Sequence, residues 1–150
     1  MAQTTPATLA LRKLAIAFEP VSYAYDPQAE RVGLQAASAL AEPPGRVLKT
    51  LVAQVDGKPV CLVLPSDREA SMKKVAAAFG GKSAAMLPVP EAERLTGYKV
   101  GGVSPFGQKR RLRTATSSTA PALVRSAWKA TASAPAALTA ATVASAFPRA

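Results

Sequence analysis

The sequence predicts a mixed α/β domain in which helices pack against a central mixed β-sheet. At 150 residues the chain is long enough for one domain with its own core. Two apolar runs flank the turn pair Asp56-Gly57, which predicts a β-hairpin near the middle of the chain. Stripes of helical spacing lie on both sides of it, so the predicted order is helix, strand, helix, hairpin, helix, strand.

The N-terminal third predicts two helices separated by an extended segment. A helix is expected over residues 5–15, because it opens with a threonine followed by a proline. Residues 18–25 predict a strand, with Pro20 favouring an edge position. A second helix is expected over residues 34–41, since the Glu-Pro-Pro-Gly sequence at 42–45 cannot continue it.

The middle of the chain carries the strongest local signals. Residues 47–55 and 58–65 are joined by the Asp-Gly pair favoured in a two-residue type I′ turn. Ser66 as N-cap and Glu69 three residues later predict the start of a helix that ends at Gly80-Gly81. The apolar face of this helix is the stripe Met72, Val75, Ala76 and Phe79.

The C-terminal half predicts smaller elements. A short strand is expected over residues 82–86 and a turn of helix over 90–95, and the glycine-rich segment over 96–113 is expected to be partly loop. From residue 114 onward the composition shifts to alanine, serine and threonine. This region offers a strand around Leu123, Val124 and Trp128, and a last helix from Ser133/Pro135 to Phe147. With no internal repeat and no second domain, we expect a single domain over residues 1–150.

The charge balance favours a polyanionic partner. Nineteen basic residues oppose nine acidic ones, giving a formal charge of +10. Lysine and arginine that neutralise phosphates release condensed counterions, which is the main source of nucleic-acid affinity. A basic, alanine-rich protein without such a partner fits the charge equally well.

No run of the sequence approaches the roughly 18 apolar residues of a membrane span. The N-terminal stretch carries its charges inside its apolar part, unlike a secretory signal. We therefore expect a soluble, cytoplasmic protein.

The absence of histidine narrows the chemistry. It excludes Ser-His-Asp and Cys-His catalysis and the commonest zinc ligand. The single cysteine, Cys61, lies in an apolar run, where a buried, inert thiol is expected. We therefore expect no metal and no cofactor, and any catalysis must use lysine, carboxylate, hydroxyl or backbone groups, or the substrate itself.

The segment most suggestive of function is residues 96–107. Gly101-Gly102 lets backbone N–H groups approach a ligand, and such amides can hold a phosphate or an oxyanion. Ser104 adds a hydroxyl on the same arc. A glycine-rich turn without a ligand is the alternative. The cations that follow at residues 109–113 suit a phosphate backbone, or else form a solvated face.

Lys49 interrupts an otherwise apolar strand. Strand alternation places it on the side of Val47, Leu51 and Ala53. It is either a lysine at the floor of a pocket or an edge-strand lysine that deters aggregation. Tyr23 and Tyr25 share one face of their predicted strand and can contact a substrate or pack against a helix.

Taken in order, these segments resemble the YbaK/ProX family of aminoacyl-tRNA deacylases, which is similar to the editing domain of prolyl-tRNA synthetases. The resemblance covers about residues 5–113. It is carried by TTPA at residues 4–7, SYAYDP at 22–27, VLKTLV at 47–52, KKVAAAFG at 73–80 and TGYKVGGVSPFGQKRRL at 96–112.

The resemblance implies a barrel-like sheet flanked by helices and hydrolysis of mischarged tRNA, most typically Cys-tRNA(Pro). Candidate catalytic residues are Lys49, Gly101 and Gly102. Candidate substrate-binding residues are Tyr23, Thr50, Tyr98, Ser104 and Ser126. Candidate tRNA-binding residues are Lys99, Lys109, Arg110, Arg111 and Arg113. The implied partners are the acceptor end of aminoacyl-tRNA and prolyl-tRNA synthetase.

In cysteine-specific members of the family, the substrate's own thiol attacks its ester, so the protein needs no nucleophile. The resemblance fails after about residue 114, where alanine, tryptophan and threonine replace the glycines usual in the family. Two alternatives therefore stay open. One is a deacylase for another small amino acid such as alanine, and the other is a catalytically silent tRNA-binding module.

Overall fold

A computed structural model describes residues 4–24, 26, 28 and 31–116. Four of the predicted features lie outside these residues: Ser126, the strand near Leu123, the helix that follows it, and the domain's extension to residue 150. Tyr25 also lies outside the described residues.

The predicted hairpin is confirmed and forms the centre of the fold. Strand β1, Leu48–Val55, pairs antiparallel with strand β2, Lys58–Pro65, in a register that joins Val55 to Lys58. Asp56 and Gly57 have φ angles of 47° and 78°. Positive φ at both central residues is what a type I′ turn requires, and it is why Asp-Gly is favoured there.

Two further strands complete a mixed sheet. Strand β3, Ala84–Met86, pairs antiparallel with residues 53–55 of β1. Strand β4, Arg113–Thr116, runs parallel to β2. The order is β3-β1-β2-β4, so the predicted mixed sheet is confirmed. Sequence patterns did not predict β4, because its four residues alternate weakly and its partner lies about fifty residues earlier.

Within the described residues, four helices are observed where helices were predicted, with different ends. They are α1, Pro6–Lys13; α2, Val32–Ala39; α3, Met72–Ala78; and α4, Val89–Thr96. Thr5 caps α1 through a reciprocal hydrogen-bond pair with Thr8. The helix α3 ends before Gly80, whose φ of 73° no helix allows.

The predicted capping box at Ser66 and Glu69 is wrong. The helix begins six residues later, at Met72, with Ser71 as its N-cap residue. Ser66 is buried and extends the hairpin by one pair, because its N–H donates to the carbonyl oxygen of Val47 at 2.8 Å. Tertiary pairing therefore overrides a local sequence pattern.

The predicted strand over residues 18–25 is also wrong in its described part. Residues 18–24 form neither strand nor helix. Pro20 lacks an amide donor for a ladder, and Tyr23 instead packs against the buried cluster of Ala36, Ala37 and Val47.

The core lies on both faces of the sheet. On one face, Val60 and Leu62 pack against Val75 of α3. On the other, Val52 and Cys61 pack with residues of α4, the β3–α4 segment and the loop before β4: Ala92, Leu95, Leu87 and Leu112. Burial of each larger aliphatic side chain stabilises the fold by about 1.5–3 kcal/mol. The helices α3 and α4 therefore lie on opposite faces of the sheet.

Among the described residues, none of the helices has both the length and the apolar character that crossing a lipid bilayer requires.

Candidate functional site

A cavity of about 600 Å³ opens beside the first half of β1. Its wall is formed by residues 48–52, the start of α2, the segment that follows β2, and the loop after α4. Its volume falls within the range of about 300–1,000 Å³ that small-ligand sites occupy. Four of the predicted site residues line it: Tyr23, Lys49, Thr50 and Gly101.

Lys49 is half-buried in this cavity. Its Nζ donates to the carbonyl oxygen of Ser66 at 3.4 Å. Burial lowers the pKa of Lys49, with a smaller effect in the same direction from Arg31, while Glu69 and Asp67 oppose the shift. An ammonium that has lost part of its hydration interacts more strongly with an incoming anion or carbonyl than an exposed one does. Of the two interpretations of Lys49, the structure favours the pocket lysine.

Ser66 ties three elements together around that lysine. Its Oγ donates to the carbonyl oxygen of Val47 at 2.7 Å, and its own carbonyl accepts from Lys49. Gly33 in the first turn of α2 approaches so closely that a Cβ there would lie 2.8 Å from the Ser66 Oγ. Sequence reasoning missed this role. The hairpin register contains the signal, since one pair beyond Leu48 and Pro65 places Ser66 opposite Val47.

Glu93 on α4 anchors the glycine-rich loop, residues 97–112. Its carboxylate accepts from the Lys99 Nζ at 2.9 Å and from the Val100 N–H at 3.1 Å. The hydrogen bond from the Lys99 side chain, followed by that from the Val100 amide, holds the pKa of Glu93 below its usual value. The loop thus has a defined shape where it reaches the cavity.

The structure separates the two candidate glycines. Gly101 lines the cavity and has a φ of 98°, which disfavours any side chain there. Gly102 is buried, and its N–H donates to the carbonyl oxygen of Lys99 at 2.9 Å. The Gly102 N–H is thus bonded within the loop, and a contact of either glycine with a ligand stays a prediction.

Tyr98 and Ser104 shape the loop from within. The Tyr98 hydroxyl donates to the carbonyl oxygen of Phe106 at 2.7 Å. Ser104 is fully buried, and its Oγ accepts from the Phe106 N–H at 3.2 Å. Neither side chain is among the residues that line the cavity, and the hydrogen bonds of both stabilise the loop.

The far end of the loop packs on α1. Gly107 has a φ of 65°, and a Cβ there would overlap the carbonyl oxygen of Pro6. Contact this close requires glycine. The helix α1 therefore serves as the base on which the glycine-rich loop rests.

Comparison with protein families identifies this architecture. Residues 26–119 match the model of the aminoacyl-tRNA editing domain. The chain belongs to this family. The match includes β1 with Lys49 and the whole glycine-rich loop, and it confirms the resemblance drawn from the ordered motifs.

Relatives of this editing domain are found among both sequences and structures. A predicted Cys-tRNA(Pro)/Cys-tRNA(Cys) deacylase, EbsC of Enterococcus faecalis, is 44% identical over 72 residues, which are 47% of this chain and 43% of EbsC. The aligned part of the chain therefore spans less than half the length of that relative.

Solved structures share the fold of the editing domain. The hypothetical protein APE2540 has a TM-score of 0.61 at 19% identity, covering 75% of this chain and 73% of its own. A predicted trans-editing enzyme for prolyl-tRNA synthetase has a TM-score of 0.61 at 22% identity, covering 74% and 69%. A scaffold used in the computational design of epitope presentation has a TM-score of 0.64 at 21% identity, covering 74% and 68%.

The predicted RNA-contacting cations of the editing domain lie apart from the cavity. The amides of Lys109 and Arg110 donate to the carbonyl oxygens of Thr96 and Leu95 at the end of α4, each at 2.9 Å. Their side chains and that of Arg111 are exposed. Arg113 lies over the ring of Phe79, 5.2 Å from its centroid. Lys99 instead pairs with Glu93.

Sequence reasoning missed two cations in the cavity wall, Arg31 and Arg68. No local motif marks them, because α2 and the segment after β2 meet only in the fold. Arg68 lies 3.7 Å from Asp67, so it is weakly paired. With Lys49 they give the wall three cations against the two carboxylates of Asp67 and Glu69.

Cys61 is buried, as predicted, and is not part of the cavity wall. Burial raises the pKa of its thiol, which disfavours the reactive thiolate. In the part of the chain that the structure describes, no three histidine, cysteine or acidic side chains come together as a metal site would require.

Proposed function

We propose that this editing domain cleaves the ester of mischarged aminoacyl-tRNA in trans, with Cys-tRNA(Pro) as the favoured substrate. One observation carries the proposal: Lys49 and Gly101 line the same cavity in a member of the editing family. The lysine offers a cation and the glycine an unobstructed backbone amide, which are the groups that bind a phosphate or a developing oxyanion.

The choice of cysteine follows from what the cavity wall contains. Its hydroxyl groups, on Ser66, Thr50 and Tyr23, have no histidine beside them to act as base, and Ser66 is committed to Val47. A substrate thiol removes this need. Its sulfur attacks the ester carbonyl carbon, the bond to the ribose 3′ oxygen breaks, and that oxygen takes up the thiol proton. The products are uncharged tRNA and a cyclic thiolactone.

The protein's part in this reaction is positioning and charge stabilisation. Lys49 binds the terminal phosphate or the ester carbonyl, and the Gly101 amide faces the developing negative charge. Holding reacting groups in place and aligning dipoles beforehand supplies most of the acceleration in such a site. The name of the relative EbsC, which mentions Cys-tRNA(Pro) and Cys-tRNA(Cys), supports the same substrate class.

The exposed cations before β4 are proposed to bind the acceptor stem. By the strand register, Arg113 lies level with Ala53, four residues from Lys49 and two strands away. That separation is about 13 Å along the strands and about 10 Å across them. A single RNA end can span this distance, with its terminal ester in the cavity and its phosphates beside Lys109, Arg110 and Arg111.

The proposal also concerns the setting in which the reaction occurs. Mischarged tRNA(Pro) is produced by prolyl-tRNA synthetase, which makes that enzyme the proposed partner and the cytoplasm the proposed location. If the purified chain cleaves mischarged tRNA without the synthetase, the two proteins need not form a complex, and the tRNA passes between them through solution.

A deacylation panel tests the function. Purified chain is mixed under single-turnover conditions with Cys-tRNA(Pro), Ala-tRNA(Pro) and correctly charged Pro-tRNA(Pro). We expect cleavage of the cysteinyl ester and a loss of at least about 100-fold in Lys49→Ala, the scale of removing one transition-state contact. Lys73→Ala, which removes an exposed lysine on α3, is the control and is expected to retain the rate.

The panel also decides between the alternatives. Cleavage of the alanyl ester at a comparable rate would replace the thiol route with attack by water. Binding of tRNA with steep salt dependence but no ester cleavage would replace the enzyme with a tRNA-binding module, since the exposed cations outside the cavity need no chemistry to bind RNA.

A further inference from the structure

The cavity lies beside the first half of β1, which the shorter strand β3 does not reach. Strand β3 pairs only with residues 53–55 of β1. One residue beyond the end of β3, the Leu87 N–H donates to the Val52 carbonyl oxygen at 3.1 Å. No described strand pairs with residues 48–51 on this side, although β2 pairs with all of them on the other.

The main chain of Thr50 points out of this open edge. Backbone groups of successive strand residues face opposite neighbours. The Val47 carbonyl faces β2, where it accepts from Ser66, whereas the Val52 carbonyl and the Asp56 N–H face β3. The even-numbered residues of β1 thus direct their N–H and C=O groups away from β2, and at Thr50 no described strand accepts them. Residues 48–52 line the cavity.

Thr50 also lies between the two groups of the proposed function. The Lys49 side chain is on the α3 face of β1, with Leu51 and Ala53. Gly101 and Val103 come from the loop that follows α4, and Val103 packs on the opposite face, with Val52. Lys49, Thr50 and Gly101 all line the cavity, so the cavity extends around the edge of β1 at Thr50.

We propose that the Thr50 main chain binds the amino acid of the substrate as though it were one residue of an added strand. In an antiparallel hydrogen-bonded pair, one residue exchanges both of its backbone bonds with a single partner. An aminoacyl ester carries the same two groups on one carbon, an α-ammonium that donates and a carbonyl that accepts. The Thr50 carbonyl binds the ammonium, and the Thr50 N–H binds the ester carbonyl.

This inference rests on the proposed function and adds a second oxyanion donor to it. When a nucleophile attacks, the carbonyl oxygen of the ester gains negative charge, and it then lies between the Thr50 N–H and the Gly101 amide. Recognition through the main chain is the same for every amino acid, so selection among side chains falls to the remaining wall of the cavity. An α-amino group must be present and unblocked.

Removal of the Thr50 N–H tests the pairing. This N–H takes no part in the β1–β2 ladder, so Thr50→Pro leaves the pairs of the hairpin intact. We expect Thr50→Pro to lower the single-turnover rate on Cys-tRNA(Pro) by at least about 30-fold, toward the loss seen when an oxyanion donor is removed. The loss must exceed that of Thr50→Val, which keeps the amide, by at least about tenfold.

Ala84→Pro is the matched control. It places proline at an outward-facing N–H of the neighbouring strand, because backbone groups alternate along a strand and the odd-numbered Ser83 and Leu87 bond to Asp56 and Val52. Ala84 does not line the cavity, so a retained rate is expected. If Thr50→Pro does not fold, the backbone ester made by replacing Thr50 with its α-hydroxy analogue removes the same N–H and decides the question.

The substrate provides the complementary test. N-acetyl-Cys-tRNA(Pro), which lacks the ammonium, should be cleaved at least about tenfold more slowly than Cys-tRNA(Pro), since one charge-assisted hydrogen bond is lost. Equal rates for the two substrates, or equal rates for Thr50→Pro and Thr50→Val, would overturn the pairing while leaving the deacylase in place.

Binding separates this inference from the function itself. The probe is 3′-deoxy-3′-(cysteinylamino)adenosine, a stable amide analogue of the charged tRNA end. If the wild type cleaves no ester yet binds this probe, and the backbone ester at Thr50 weakens binding at least about fivefold, the deacylase proposal falls and the pairing stands. Failure of the wild type to bind the probe overturns the pairing.

Discussion

Two parts of the sheet carry cations in opposite ways: residues 48–51, where β1 has no described strand on the β3 side (the β1 edge), and the outer strand β4 with the residues before it (the β4 edge). At the β1 edge, Lys49 is half-buried, its pKa is lowered by burial, and it stands among carboxylates and a carbonyl oxygen. At the β4 edge, the side chains of Lys109, Arg110 and Arg111 are exposed. The main chain there is fixed by the end of α4, which leaves those side chains free to point outward.

The difference teaches which cation suits which task. A partly desolvated lysine interacts strongly over short distances and is barely screened, so it can stabilise one charge at one point. Exposed cations are screened within about 10 Å at 0.1 M salt, but several together attract a polyanion through counterion release. We therefore expect the β1 edge to control the rate of cleavage and the β4 edge to control affinity.

After that of Lys49→Ala, the largest effect is expected from Gly101→Ala. A side chain at a φ of 98° forces the backbone to move, which costs about 1–2 kcal/mol and displaces the amide that we propose to bind the oxyanion. The single-turnover rate on Cys-tRNA(Pro) should fall at least about 30-fold, with the Kd for tRNA unchanged. Gly45→Ala, at an exposed turn with nothing near its Cβ, is the control, and an equal loss there would contradict the local explanation.

A smaller effect is expected when the β4 edge loses its charge. The triple variant Lys109→Ser, Arg110→Ser, Arg111→Ser should weaken tRNA binding about tenfold or more at low salt and reduce the slope of log K against log salt by about 2–3. The rate at saturating enzyme should not change. Filter binding over a salt series measures both quantities.

The control for this variant removes three exposed lysines elsewhere, Lys58, Lys73 and Lys82. If both triple variants lose the same affinity and the same salt slope, net charge rather than the β4 edge binds the RNA.

Raising the pH should sharpen the contrast by removing one cation selectively. The pKa of Lys49 lies below its usual value, so its charge is present at low pH and is lost as the pH rises through that lowered pKa. The cleavage rate, corrected for spontaneous hydrolysis, should then fall about tenfold per pH unit, while the arginines of the β4 edge stay charged. Glu69→Gln removes a carboxylate that raises this pKa, and it should move the fall to lower pH.

The lowered pKa of Lys49 also determines the direction in which the free energy of unfolding changes with pH. Because the unfolded chain retains the Lys49 proton to higher pH than the folded chain does, it binds more protons between the two pKa values. The contribution of Lys49 to stability therefore rises with pH across that window. Lys49→Met should remove this rise, and denaturant unfolding at a series of pH values measures it.

Sequence patterns predicted the parts of the fold that local chemistry determines. The Asp56-Gly57 turn and the end of α3 before Gly80 depend on backbone preferences that a few residues express. Ser66 shows the limit, because its local context signals a helix cap whereas its pairing across the hairpin fixes its place. The strand β4 and the cavity residues Arg31 and Arg68 depend on contacts between distant segments, which no local pattern reports.

For the candidate site as well, local motifs indicated some features and only the fold showed the others. The ordered motifs indicated Lys49 and Gly101 because both lie in segments that resemble the family. The same segments also suggested Gly102, Tyr98 and Ser104, whose hydrogen bonds turn inward once the loop is folded. A motif identifies which loop matters, and only the fold shows which of its atoms face the cavity.

The smallest effect is expected at Arg113, which belongs to the β4 edge in sequence but is partly committed to the core. Its guanidinium lies over Phe79, and such a contact at an exposed site contributes about 0.5–1 kcal/mol. Arg113→Met should lower the free energy of unfolding by that amount, and a double-mutant cycle with Phe79→Leu should recover it as a coupling energy.

If the cycle gives no coupling and Arg113→Met lowers the salt slope of tRNA binding as much as Arg110→Ser does, Arg113 acts as a phosphate contact like its neighbours. Coupling without a change in slope would mark the point where the RNA-binding edge ends and the core begins.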